Sequence, residues 1–174
     1  AGFYLIPINW HLVGPEIAEE ITLPPALENA WHTRGYYGSV SHNVKAIYQR
    51  YLGWFDGNPA HLWEHPPVER AKRYVDAIGG ADAVTEKAQE AFDAGDYRWA
   101  AELANHAVFA DPDHEAARTV LADTYEQLGY GAENGTWRNV FLVGAKELRD
   151  GEPATAAHRG APDLLGALTV EQML

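Results

Sequence analysis

Apolar positions recur at helical spacing through most of this chain. The sharpest case is TRGYYGSVSHNVKAIYQRYLGWFDGNP, residues 33–59. There Val44, Ile47, Tyr48, Tyr51 and Phe55 share one face, while Lys45, Gln49 and Arg50 lie off it. Ser41 or Asn43 supplies a side-chain oxygen to cap the start. Asp56-Gly57-Asn58-Pro59 stops the helix with turn residues and a proline. A short helix cannot hide so many aromatics alone, so it is expected to be clamped between other elements or between subunits. Just before it, Gly35 and Gly38 flank Tyr36 and Tyr37, and residues 36–40 read as a short extended segment.

The remaining pattern is helical with frequent punctuation. Residues 1–15 carry no clear period and are read as a strand or an ill-ordered arm, the strand preferred. Residues 16–21 form a short helix with Pro15 in its first turn, ended by Leu23-Pro24-Pro25. Residues 26–31 add a helical turn. Residues 68–78 form a helix stopped by Gly79-Gly80. Asp82 is expected to cap residues 83–94. Gly95, Tyr97, Ala100, Ala107 and Pro112 then stand at tetratricopeptide spacing. Leu121, Ala122, Tyr125, Leu128 and Gly129 fit the first helix of a second unit, which Asp113 starts. Gly95 and Gly129 are 34 positions apart, the period of that repeat. A last helix covers residues 136–148. Residues 150–162 have linker composition, and Leu164, Leu165, Leu168 and Leu174 resume a helical spacing. The expected architecture is all-α: a helical bundle whose second half is a tetratricopeptide-like helix pair, with one short extended segment near the N-terminus.

Composition narrows the function. A 47% hydrophobic, 22% charged chain of 174 residues is globular in balance. Its net charge of −12 argues against binding nucleic acid or an anionic membrane over the general surface. The absence of cysteine excludes disulfides and thiolate metal sites, and fits either redox compartment. No apolar run reaches transmembrane length. With no initiator Met and no basic leader, the chain reads as an internal piece of something longer.

Candidate chemistry is sparse. His61-Leu62-Trp63-Glu64-His65 matches H-x-x-E-H. That motif needs both histidines on one face of a continuous helix, and the surrounding Pro59, Pro66 and Pro67 forbid it. A solvated loop with Trp63 packed down is expected instead. His42 and Asn43 open the aromatic helix, where free N–H groups and the positive dipole end suit an anion such as sulfate. The competing reading is capping and packing. Tyr36, Tyr37, Tyr48 and Tyr51 offer phenols, though most are expected to be core or interface aromatics. Trp99, Trp137 and Arg138 fall within the helical repeat, suited to an interface or to packing. Asn134-Gly135-Thr136 matches a glycosylation triplet too common to carry weight.

The 33–59 stretch, with EIAEEITLPPAL, GDYRWAAELANHAVFADP and EQLGY…WRN, resembles the central dimerisation region of the zinc-dependent alkyl sulfatases. These enzymes have a metallo-β-lactamase-like catalytic domain. The resemblance runs from Glu16 to about Arg149. It implies a parent homodimer that cleaves linear alkyl sulfates, dodecyl sulfate among them, to alcohol and sulfate with a zinc-activated water. It implies two zinc ions held by an H-x-H-x-D-H cluster, two glutamates and a further histidine upstream; no H-x-H occurs in this chain. No catalytic or metal-ligating residue is expected here. The family's sulfate-contacting tyrosine matches Tyr48 best and Tyr51 next, with His42 and Asn43 beside them. Residues 1–33 would be the tail of the catalytic region, 34–150 the dimerisation domain, and 151–174 a linker with the first helix of a sterol-carrier-protein-like domain. Residues 1–13 depart from the family's polar helix. A free-standing, non-catalytic helical-repeat module that binds a peptide or partner helix is the alternative.

Overall fold

The computed structural model describes residues 14–151, and every regular element among them is helical. The order is α1 (Gly14–Glu20), α2 (Pro25–Glu28), α3 (Val40–Leu52), α4 (Pro67–Ile78), α5 (Ala81–Asp93), α6 (Tyr97–Ala110), α7 (Glu115–Gly131) and α8 (Gly135–Asp150). Two 3-10 turns, Trp31–Thr33 and Pro59–His61, join them. The all-α expectation holds. The strand expected over residues 1–15 falls almost wholly outside the described residues, and α1 already begins at Gly14. The helix expected beyond residue 162 also lies outside them.

The core lies among α4, α5, α6 and α7. Val84, Leu103 and Leu121 are nearly inaccessible there, with Ala88, Ala104 and Ala107 between them. Methyl side chains at these crossings let the helix backbones approach closely. Helix α8 continues the stack onto α7. Its Leu142 comes so near Gly129 that a Cβ on that glycine would lie 2.8 Å from Leu142 Cδ2.

Several boundaries move from their expected places. Ser39, not Ser41 or Asn43, caps α3, its Oγ accepting from the His42 N–H at 3.1 Å. The helix ends at Gly53, whose φ of +83° suits glycine, so Phe55 lies outside it. Residues 36–38 are bent and form no strand, and Val40 is already helical. Asp82 does not cap α5; Gly80 takes that place without a side-chain bond. His114, rather than Asp113, caps α7 by accepting the Ala117 N–H at Nδ1, 3.1 Å away, and its Nε2 lies 3.0 Å from Asp82. Gly129 sits inside α7, which runs on to Gly131. Gly95, with φ +80°, lies between α5 and α6. The two glycines 34 positions apart therefore occupy different structural places.

Helices α1 and α3 form a second, smaller layer. Gly14 of α1 lies against the Tyr48 ring of α3, with a Cβ there 3.4 Å from Tyr48 Cβ. No residue of α3 is buried. This layer is joined to the rest by residues 34–39 and by an Arg98–Glu19 ion pair at 3.3 Å.

Candidate functional site

The site grows from two helix starts laid side by side. Asn134 caps α8 and accepts the Trp137 N–H at 3.0 Å, as Ser39 caps α3 and accepts the His42 N–H. Trp137 and His42 therefore hold equivalent positions in their helices. Between the two starts runs a strap, residues 34–39. The Gly135 N–H donates to the Tyr36 carbonyl at 2.7 Å. Asn134 Nδ2 donates to the Tyr37 carbonyl at 2.7 Å, and the Thr136 hydroxyl donates to it at 2.9 Å. Glu133 accepts from the Gly35 N–H at 3.0 Å and from the Arg34 guanidinium. The Arg34 hydrogen bond, with its charge, holds the Glu133 carboxyl below the usual carboxylate range. Asn134 is only 4% exposed, so its amide is committed to these bonds and cannot carry a glycan.

A groove lies between the strap and the α7–α8 turn, lined among others by Gly38, Ser39, Asn43, Asn134 and Trp137. A Cβ on Gly38 would come 3.1 Å from Asn43 Oδ1, so glycine there leaves room for the Asn43 amide. Trp137 Nε1–H donates to His42 Nδ1 at 2.9 Å. The Lys45 ammonium stands 5.8 Å from the Trp137 ring centroid, in cation–π range.

The structure thus places Asn43 in the lining of that groove and His42 against Trp137, and sets the tyrosines apart. Tyr48 is half-buried against α1, and Tyr51, one turn on, is 82% exposed. The 61–65 stretch breaks as expected: Pro59–His61 is a 3-10 turn and α4 starts only at Pro67. Trp63, expected to pack down, is instead 96% exposed, because no described element covers it. Among the described residues no three His, Asp or Glu side chains gather as a metal centre requires. None of their helices is long and apolar enough to cross a membrane.

Sequence reasoning missed the roles of Glu133, Asn134 and Thr136. Their partners lie 97 to 99 positions away, so no local pattern points to them. From the sequence Trp137 reads as an interface or packing residue, and its bond to His42 spans 95 positions.

A family model described as alkyl sulfatase dimerisation matches residues 13–151. A linear primary-alkylsulfatase of Pseudomonas sp. is 54% identical over 157 residues, which are 90% of this chain and 23% of that protein. An (R)-specific secondary-alkylsulfatase of Pseudomonas sp. is 55% identical over 163 residues, 93% of this chain and 24% of that protein. The solved structure of a stereoselective inverting sec-alkylsulfatase from Pseudomonas sp. matches with a TM-score of 0.84 at 52% identity, over 94% of this chain and 26% of that one. The chain therefore spans about a quarter of the length of these relatives.

Proposed function

The chain belongs to the alkyl sulfatase dimerisation family, and on that premise we propose that it builds the homodimer of an alkyl sulfatase through the aromatic face of α3. The observation that carries this reading is exposure. Ile47, Tyr51, Leu52 and Trp54 are 57%, 82%, 65% and 72% exposed, and Tyr37 on the strap is 85% exposed. Large apolar side chains left in water in such number point to an association site. Aromatic residues are the type enriched at the buried centre of such interfaces.

The parent enzyme would hydrolyse linear alkyl sulfates, dodecyl sulfate among them, to alcohol and sulfate, which makes anionic detergents its substrate class. Its metallo-β-lactamase-like domain and two zinc ions would lie outside this segment, which carries no H-x-H motif. Within the segment, His42, Asn43, Tyr48 and Tyr51 are the residues read as facing substrate. His42 and Asn43 stand at the start of the 13-residue helix α3, where the dipole favours an anion. Lys45 adds a cation one turn on, while the Arg34 charge is engaged by Glu133. The apolar surface of α3 suits an alkyl tail. Helices α5 to α8 are read as tetratricopeptide-like, residues 34–150 as the dimerisation domain, 1–33 as the end of the catalytic region, and 151–174 as a linker with the first helix of a sterol-carrier-protein-like domain.

The gene upstream of Ala1 tests the activity. It is expected to encode an H-x-H-x-D-H cluster, the ligand set for a zinc-activated water. An upstream reading frame without that cluster contradicts the proposal.

A further inference from the structure

We propose that Trp137 is a positioning residue for His42, fixing which imidazole nitrogen is left to meet an anion. The inference rests on the reading of His42 as a sulfate contact. An indole N–H can only donate. With Trp137 Nε1–H directed at His42 Nδ1, 2.9 Å away, Nδ1 must offer its lone pair. The hydrogen of the neutral ring then sits on Nε2. A sulfate oxygen needs a donor, and the opposite tautomer would turn a lone pair toward it. The same bond anchors the ring's rotation, with the two ring centroids 6.2 Å apart and the planes tilted by 47°.

Trp137 is itself held from both sides. Its backbone N–H is bonded by Asn134, and the Lys45 ammonium lies over its ring. Lys45 follows His42 by three residues on α3, so the indole bridges the first turns of two helices and touches both basic groups. The register of those helices is set elsewhere, by the bonds from Asn134, Thr136 and Gly135 to the strap carbonyls. Loss of the indole N–H alone should therefore leave the fold in place while freeing the imidazole.

Side-chain 15N spectra of the full chain test this, with His42→Asn used to identify the His42 signals among eight histidines. The wild type is expected to show His42 as a single Nε2-protonated tautomer. It should also show a coupling across the hydrogen bond between Trp137 Nε1 and His42 Nδ1, a readout that needs no variant. Trp137→Phe keeps a ring beneath Lys45 but no donor. Its two His42 nitrogen shifts should move toward each other as both tautomers are sampled, with the melting curve unchanged. Absence of the coupling, or identical nitrogen shifts in Trp137→Phe, overturns the proposal. In an intact sulfatase carrying this segment, Trp137→Phe should raise KM for an alkyl sulfate about fivefold, the scale of one neutral hydrogen bond. His42→Asn should raise it further. If His42→Asn changes neither KM nor kcat, the sulfate reading of His42 falls and the inference with it. If His42→Asn impairs turnover and Trp137→Phe does not, only the positioning role falls.

Discussion

His106 of α6 stacks on Tyr74 of α4, with ring centroids 4.7 Å apart and planes 29° from parallel. Burial lowers its pKa below the ordinary histidine value; the nearby Arg70 charge adds to the shift and Glu102 opposes it. The folded protein thus keeps this ring neutral at a pH where the unfolded chain, with its histidine near about 6.5, takes up a proton. Extra protons bound by the unfolded state subtract stability. The contribution is whole above the unfolded pKa and is lost as pH falls below about 6.5 toward the folded value. The melting temperature should therefore drop less between pH 7 and pH 5 in His106→Gln than in the wild type. Equal drops would contradict this account of the stack.

Helix on helix, the contact most sensitive to a small change is that of α7 with α8. Gly129 faces Leu142 at a distance that no methyl group tolerates without movement. Gly129→Ala should raise helix propensity yet destabilise the chain by up to about 2 kcal/mol net, because an overpacking cost of about 1–3 kcal/mol outweighs a gain of about 1 kcal/mol. Urea unfolding checks this, and an unchanged or higher midpoint contradicts it. Gly129 also shows what the sequence could and could not convey. Its spacing from Gly95 made a repeat legible, but not that α7 would run through it to Gly131. The helices themselves were legible because their periodicity is local. Their starts were less so. Ser39 displaced Ser41 and Asn43 as the cap of α3 where the strap is pinned at Tyr36 and Tyr37. The site was legible only on its α3 side. His42 and Asn43 could be read from their place at a helix start. Trp137 reaches His42 across 95 positions and Asn134 reaches the Tyr37 carbonyl across 97, distances that no pattern in the sequence encodes.

At the scale of the molecule, an alanine-rich stack with its own core carries a thin aromatic layer. Among the described helices α3 packs along α1 and meets α8 only through Trp137, and large apolar side chains of α3 are left in water. The charge of −12 on each copy opposes self-association, so apolar burial has to overcome it, and added salt should strengthen the dimer. A stable interface of this kind buries about 800 Å² on each partner. The most direct measurement is light scattering after size exclusion, made on the full chain at micromolar concentration. The account predicts a particle of twice the 19.2 kDa chain mass. Ile47→Asp combined with Leu52→Asp should return it to single-chain mass with the helical signal intact, since both side chains are exposed in the protomer. A wild-type chain that stays monomeric under these conditions, or a dimer that both aspartates leave untouched, would contradict the assignment of α3 as the dimer face.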